Sequence, residues 1–560
     1  MAKSKKSERL RSYPQIFRWL WKTWDGYRLQ ATLNLLIGIS LIVADLVFVW
    51  GTKKSVDIAT GQEPGYGLRW ALTLLVGVVI WQISMGIVNR WIRAVLGVRA
   101  QNRMQEKLFA RLLRSDWQQL RRNHTGHLVN RLEQDVTVVI ALLTENLPSF
   151  IITCLQFLGA FFFLFYMDTK LAVVVAVIVP FFVLCSRLFV RRLREISHNV
   201  RESEGRVQTI LQESLQHALV IKTLERINYS LSRLVYSHKE LRKNVVERTR
   251  YSSISSGLMN AAFAGGYLLT FFWGLSSLRA GDITFGTLTA FIQLVGMIQQ
   301  PVRTLTRFVP IFISAFTASE RLMELEEYKE EERGMEKLEI SPEDHVRLVV
   351  DNISFSYDDD VRGKSKKVLE NWSAVFEPGS ITAIVGTTGA GKTTVTSLLL
   401  GLLHPQEGTV KAVLGDGREL KLTARTRKLF SYVPQGNTLL SGTIRDNLRI
   451  GNPHATDEEM REVLHVADAD FVFDSPKGLN KVCSERGGGL SEGQAQRVGL
   501  ARALLRKSPV LLLDEAFSSL DSNTAEKVLK HVLETNPKRT IIYITHREAL
   551  MPYAQKIIRL

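Results

Sequence analysis

The sequence has 560 residues, a formal net charge of +17, 46% hydrophobic residues and three cysteines. That length is too great for one compact core, so the chain must divide into parts. Cys154, Cys185 and Cys483 stand too far apart to suggest a disulfide framework or a metal site, and no zinc spacing or basic-aromatic surface accompanies the charge, which argues against nucleic acid as a partner.

The basic excess begins in the N-terminal tail, at Lys3, Lys5, Lys6, Arg9 and Arg11. The first long apolar run starts late and lacks a small-residue cleavage pattern, so no signal peptide is read. Ahead of it, PQIFRWLWKTW mixes aromatics with cations in the way of a short helix lying in a membrane interface. Six apolar runs come next, at roughly 31–51, 69–89, 149–167, 171–190, 253–278 and 285–313. Each is long enough for a spanning helix, which needs about 20 apolar residues.

The loops set the topology. Only Asp168, Thr169 and Lys170 separate the third and fourth runs, and RAGDIT separates the fifth and sixth. Residues 90–148 and 191–252 are instead long and helical in pattern, and rich in arginine: Arg99, Arg103, Arg111, Arg121 and Arg122 in the first, Arg191, Arg192, Arg194, Arg201 and Arg206 in the second. The positive-inside bias puts both segments, and both termini, in the cytoplasm. The spans are expected to continue there as helices. Charges are few inside the spans; among them are Asp45, in the outer part of the first, and Arg303 and Arg307, after Pro301 in the sixth. Charges at that depth face a cavity or partner, or snorkel to the interface.

After the sixth run the chain turns strongly charged (ELEEYKEEERGMEKLEI), and a new pattern starts near Asp344. VRLVVDNISFSY and SITAIVG read as strands, with a basic loop, RGKSKK, between them. Next comes GTTGAGKTT, from Gly386 to Thr394, between an apolar strand and an apolar helix. This is the context of a phosphate-binding P-loop. Gly386, Gly389 and Gly391 let the backbone amides of Thr387, Thr388, Ala390 and their neighbours curl around phosphates at a helix start. Lys392 offers a point charge to the outer phosphates, and the Thr393 hydroxyl, beside Thr394, suits Mg²⁺. Farther on, PVLLLDEAF ends a buried strand in two carboxylates. Asp514 fits the Mg²⁺-holding role, and Glu515 is placed to orient or deprotonate an attacking water.

Between these motifs the sequence resembles the ATP-binding cassette family, over nearly the whole chain and in its exporter half-transporter arrangement. LSEGQAQRVGLARALL resembles the family signature, with Ser491, Gly493 and Gln494 in characteristic positions. Gln435 in YVPQ is similar to the Q-loop glutamine, a further Mg²⁺ contact, and His546 in YITHR to the switch histidine. Tyr357 in FSY resembles the adenine-stacking aromatic, Asp521 in SSLD the D-loop, and Ser484 to Gly487 (SERG) the exporter X-loop. HTGHLVNRLEQDV and LVIKTLE resemble the intracellular loops, implying coupling helices near 116–123 and 213–219.

The resemblance implies a dimer. Each ATP would lie between the P-loop of one chain and the signature of the other, with hydrolysis through Glu515 driving alternating access. Two features depart from the family pattern. Glu492 stands where the signature has a glycine, and the chain stops after KIIRL, where relatives add a glycine-containing strand hairpin, so altered cassette packing is expected there without loss of catalytic residues.

The expected architecture is an α-helical six-span transmembrane domain followed by an α/β P-loop NTPase domain. Its parts are a tail and interfacial helix (1–30), a transmembrane domain (31–320), a charged linker (321–343) and a cassette (344–560). The expected function is ATP-driven efflux or flipping of a lipid, drug or peptide, with ATP and Mg²⁺ as cofactors. The expected partners are a second half-transporter chain, membrane lipid and an amphiphilic substrate, in a bacterial inner membrane. The alternatives are an ATP-gated regulatory protein or one subunit of a heterodimer with unequal sites.

Overall fold

The computed structural model describes residues 12–63, 67–123, 125–332, 339–341, 343–359, 364–387, 389–484, 488–535 and 537–560, and no side chain is described at 175–191, 194, 306, 358, 359 or 364–366. The basic tail through Arg11, Thr388, residues 485–487 of the X-loop and the side chains of Cys185, Arg191 and Arg194 therefore lie outside the described residues. The chain divides into two compact units, residues 1–109 with 126–326, and residues 110–125 with 327–560.

The first unit is helical. Helix α1 (Tyr13–Thr23) buries Ile16 and Leu20 and exposes Tyr13, Phe17 and Trp21. Long helices α2 (Arg28–Ala59) and α3 (Leu68–Leu113) come next. After α4 (Trp117–Arg122), which groups with the second unit, come α5 (Thr125–Met167) and α6 (Thr169–Gln216). The set closes with α7 (Ala218–Thr223), α8 (Ile227–Ala280) and α9 (Phe285–Glu326). Each of the six apolar runs lies within one of these long helices, which extend well past it, and α5 carries two π-helical turns at Arg131–Asp135 and Leu142–Asn146. Among the described residues, four of the six helices are long and apolar enough to cross a membrane on composition alone. In α9, Gln293, Gln299, Gln300 and Arg303 dilute the apolar content. On α3, Leu72, Val76, Ile80, Ile83 and Ile87 form an exposed stripe at helical spacing, each at least half exposed. A stripe of that kind is costly in water and suits hydrocarbon.

Close helix approach depends on small residues. A Cβ on Gly38 would come within 2.2 Å of Ile152, and one on Gly274 within 2.4 Å of Leu288. Polar anchors then fix the register. Asp57, buried at the end of α2, accepts from the Gly286 amide at 2.8 Å and from Lys53 at 3.2 Å, so it caps the start of α9. Asp168 caps α6 through the amides of Lys170 and Leu171 and accepts from the Trp273 indole at 3.2 Å. Arg321 forks onto buried Asp135 at 2.6 and 2.8 Å.

Two of the charges inside the spans have protein neighbours. Asp45 accepts from Gln82 of α3 at 2.8 Å, and the Arg303 guanidinium lies 4.2 Å over the Phe263 ring. The first short helix falls at the expected place, within 116–123. The second does not: α6 runs through 213–216, breaks at His217, and the short helix is Ala218–Thr223. The helical period continues without a capping signal until His217 leaves the helical region.

Among the described residues the second unit holds two large sheets, besides a two-stranded pairing of Gly442–Thr443 with Val482–Cys483. The antiparallel sheet has the order β2-β1-β4-β5, built from β1 (Val346–Asp359), β2 (Lys364–Phe376), β4 (Glu407–Leu414) and β5 (Glu419–Lys421). Strand β2 takes in part of the basic stretch read as a loop, because its backbone pairs with β1 as far as Asp359 and Lys364. The parallel sheet comprises β3 (Ile381–Val385), β6 (Phe430–Val433), β7 (Val510–Asp514), β8 (Thr540–Ile544) and β9 (Lys556–Arg559). Its order is β9-β3-β8-β7-β6. VLLLD and TIIYI are buried at every position, as strands covered on both faces must be.

Candidate functional site

In the parallel sheet β3, β8, β7 and β6 are neighbours that all run the same way, so the segments leaving their carboxyl ends emerge at one edge. Ligands of open α/β sheets bind at that carboxyl edge. The P-loop comes after β3, Gln435 after β6 and His546 after β8, while Asp514 and Glu515 end β7. Residues 386 to 546 in sequence thus meet at a single cavity of about 1000 Å³.

The P-loop leads from β3 into helix α10 (Lys392–Leu399). Gly389 and Gly391 take φ of +89° and +100°, where a side chain would be strained. At Gly391 a Cβ would also come within 2.9 Å of Val368. Gly386, Thr387, Gly389, Gly391, Lys392, Thr393 and Thr394 line the cavity. Ala390 closes the turn, its amide donating to the Thr387 carbonyl at 3.2 Å. Lys392 donates to the carbonyls of Gly386 and Thr387 at 2.8 and 3.2 Å and lies 4.0 Å from Glu515.

Asp514 is 2% exposed and accepts from the Thr396 hydroxyl at 3.3 Å and the Tyr432 hydroxyl at 3.4 Å. Burial first, and Glu515 second, push its carboxyl above the usual range. Tyr432 is likewise driven up by burial and by Asp514. Glu515 sits at φ +48°, a left-handed conformation rare for a side-chain-bearing residue and found at functional sites. That turn frees its carboxylate to receive the Gln435 amide at 2.6 Å. Tyr357 stands edge-on to Phe355, 5.0 Å between centroids, with its hydroxyl 3.3 Å from Thr394. Tyr357, Gln435, Glu515 and His546 all line the cavity.

The signature residues lie elsewhere. Ser491 caps helix α11 (Glu492–Leu505), its hydroxyl accepting from the Gln494 amide while Gln494 Oε1 accepts from the Ser491 amide. Gly493 packs against the D-loop segment, where a Cβ would meet the Ser519 carbonyl at 2.9 Å. Asp521 caps helix α12 (Ser522–Thr535) through the Thr524 amide at 2.9 Å, which holds its carboxyl below the usual range. None of Ser491, Gly493, Gln494 and Asp521 is among the cavity-lining residues. Glu492 is exposed at the first position of α11, where the helix dipole favours a carboxylate.

Several lining or supporting residues carry no spacing signal in the sequence. Tyr432 reaches Asp514 because β6 pairs with β7, with Tyr432 opposite Leu512. His404 and Gln406 enter from the segment after α10, and Gln406 clamps the Ser356 backbone at 2.9 and 3.2 Å beside Tyr357. Trp117, Gln118, Arg121 and Arg122 of α4 complete the wall.

The donor set fits a hard divalent cation: Thr393 and Gln435 offer oxygens at the cavity, and behind them stands a desolvated Asp514 carboxylate.

Residues 32–302 match the family described as the ABC transporter transmembrane region, and residues 369–518 match the family described as ABC transporter. The chain is 28% identical over 526 residues to an ATP-dependent lipid A-core flippase of Dechloromonas aromatica, spanning 92% of this chain and 88% of that protein. It is also 28% identical over 549 residues to a putative multidrug export ATP-binding/permease protein of Staphylococcus aureus, spanning 95% and 92%. The fold is shared with the solved structure of a bacterial Atm1-family ABC exporter with ATP bound, at a TM-score of 0.76 and 22% identity, covering 95% of this chain and 92% of that one. The chain belongs to the ATP-binding cassette transporter family, as an exporter-type half-transporter with its transmembrane region fused to one nucleotide-binding domain.

Proposed function

We propose that this chain works as one half of a homodimer that hydrolyses Mg·ATP to flip or export a lipid-like amphiphile across a bacterial inner membrane, both termini facing the cytoplasm. The meeting of Lys392, Gln435, Glu515 and His546 in one cavity at the carboxyl edge of a parallel sheet supports this reading. Lys392 releases its two backbone carbonyls to take the outer phosphates. Tyr357 offers its ring to the base. Glu515, held by Gln435, orients the attacking water and draws its proton, and His546 donates to the terminal phosphate. Asp514, Thr393 and Gln435 would hold Mg²⁺, which neutralises charge on the phosphates when bound. Ser491, Gly493, Gln494 and Asp521, lying off the cavity, serve the second chain's nucleotide.

An exposed apolar stripe on α3 supports a substrate or lipid surface of hydrocarbon character. The named activities of the flippase and multidrug export relatives support an amphiphilic cargo for this chain as well.

The test uses the full chain in proteoliposomes. ATP hydrolysis and ATP-dependent movement of labelled lipids across the bilayer are measured together, and copurified amphiphiles are identified by mass spectrometry. Stimulation by a copurified amphiphile and a single-species dimer are expected. A preparation that hydrolyses ATP yet moves no amphiphile, or that requires a second gene product for hydrolysis, overturns the corresponding part.

A further inference from the structure

The wall of the nucleotide cavity is not made by the cassette alone. Helix α4 comes from the first long cytoplasmic segment, more than 200 residues before the P-loop, yet residues 110–125 form one compact unit with 327–560. Trp117, Arg121 and Arg122 line the same cavity as Tyr357, Lys392 and Glu515.

Their place there is held firmly. Asp116 caps α4 through the Gln118 and Gln119 amides at 2.8 and 3.3 Å. The segment around Ser115 pairs with Glu330 as an antiparallel bridge, with Asp116 N–H donating to the Lys329 carbonyl and Glu331 N–H to the Arg114 carbonyl, both at 2.9 Å. Glu331 in turn forks onto Arg427 at 2.7 and 2.8 Å. Arg427 also donates to the carbonyls of Leu400 and Gly401, at 2.9 and 3.0 Å, which end the P-loop helix. One chain of contacts therefore joins the back of α10 to α4, and α4 returns to the front of the cavity.

The charge of the cavity fits this arrangement. Among the described residues lining the cavity, three fixed cations, Lys392, Arg121 and Arg122, face one carboxylate, Glu515. A nucleotide triphosphate with its cation remains a net anion. Guanidinium groups bind phosphate oxygens bidentately and stack on base faces, so they suit either end of a nucleotide.

We propose that Arg121 and Arg122 of α4 are nucleotide-binding residues that act in cis, so the segment between the second and third spans touches the bound nucleotide of its own chain directly. This rests on the nucleotide reading of the cavity. Its consequence is specific: nucleotide occupancy reaches the membrane region through a contact that exists within one chain, without waiting for the second signature to close. Trp117, at the same wall, then reports binding in its emission.

The experiment uses the full-length protein in detergent, with displacement of a fluorescent ATP analogue for Kd and phosphate release for kcat and KM. Arg121→Gln with Arg122→Gln is expected to raise both Kd and KM by about tenfold, the worth of a charge-assisted contact, with kcat at saturating ATP within about twofold. The variant's affinity loses much of its dependence on salt, since screening acts on those charges. Arg121→Lys with Arg122→Lys restores most of the affinity, and Trp117→Phe removes the nucleotide-induced change in tryptophan emission. Kd unchanged in the Gln variant, with or without a fall in kcat, overturns the proposal. So does a loss in the Gln variant that the Lys variant shares in full, which marks a packing role. Lys392→Ala separates this from the function itself. If wild type and Lys392→Ala bind the analogue equally, the nucleotide reading fails; if only Lys392→Ala loses it, the α4 assignment fails alone.

Discussion

Gln435 donates to Glu515 at 2.6 Å, and this pairing aligns the carboxylate assigned to water activation. Glu515 has left-handed backbone geometry and lies 4.0 Å from Lys392, so its direction rests on the Gln435 amide and this lysine. Gln435→Ala is expected to lower kcat for ATP at least about tenfold, part of the roughly 10²–10⁴ a positioned general base supplies. Steady-state phosphate release at saturating ATP measures it. An unchanged kcat would remove Gln435 from the catalytic set.

Gly493 has no room for a methyl group, with the Ser519 carbonyl 2.9 Å and Leu520 3.0 Å from the position a Cβ would take. Gly493→Ala must push the signature helix away from the D-loop. Overpacking of that kind costs about 1–3 kcal/mol. Thermal unfolding should show a lower midpoint, together with reduced ATPase activity.

Glu492 is exposed at the start of α11. Replacing it with glycine, the usual signature residue, loses a favourable dipole contact and adds backbone freedom, about 1 kcal/mol in all. Glu492→Gly is therefore expected to lower the unfolding temperature slightly, with KM for ATP within about threefold of wild type. A large gain in ATP affinity would instead mean that this carboxylate repels the nucleotide of the second chain.

The lock between α2 and α9 leaves no room for a side chain at Gly286. A Cβ on Gly286 would fall 2.1 Å from the Lys53 carbonyl and 2.6 Å from Asp57. Gly286→Ala forces the start of α9 away from α2 and stretches the 2.8 Å bond to Asp57, which keeps Lys53 as its charged partner; overpacking of this kind costs about 1–3 kcal/mol. Thermal aggregation in detergent should begin at clearly lower temperature, while nucleotide binding by surviving protein stays normal.

The cassette was legible because its chemistry needs particular residue types at fixed short spacings: glycines at positive φ, a lysine at the helix start, an acid pair ending a buried strand. The helices were legible from long apolar runs, and their extension past those runs from the helical pattern of the arginine-rich segments. Contacts between distant segments were not. Asp57 with Gly286, Glu331 with Arg427, and Tyr432 with Asp514 are set by which helices and strands become neighbours, and no local spacing encodes that. The second short helix fell at Ala218–Thr223 and not at 213–219, since helix ends without caps are poorly marked. Strand β2 was hidden because its lysines read as a loop while its backbone pairs with β1.

The most direct measurement is ATP turnover by Glu515→Gln in the full-length protein, alongside its affinity for ATP. A water-activating Glu515 at a working nucleotide site predicts loss of phosphate release by about a hundredfold or more, with ATP binding retained. Turnover close to wild type would contradict it.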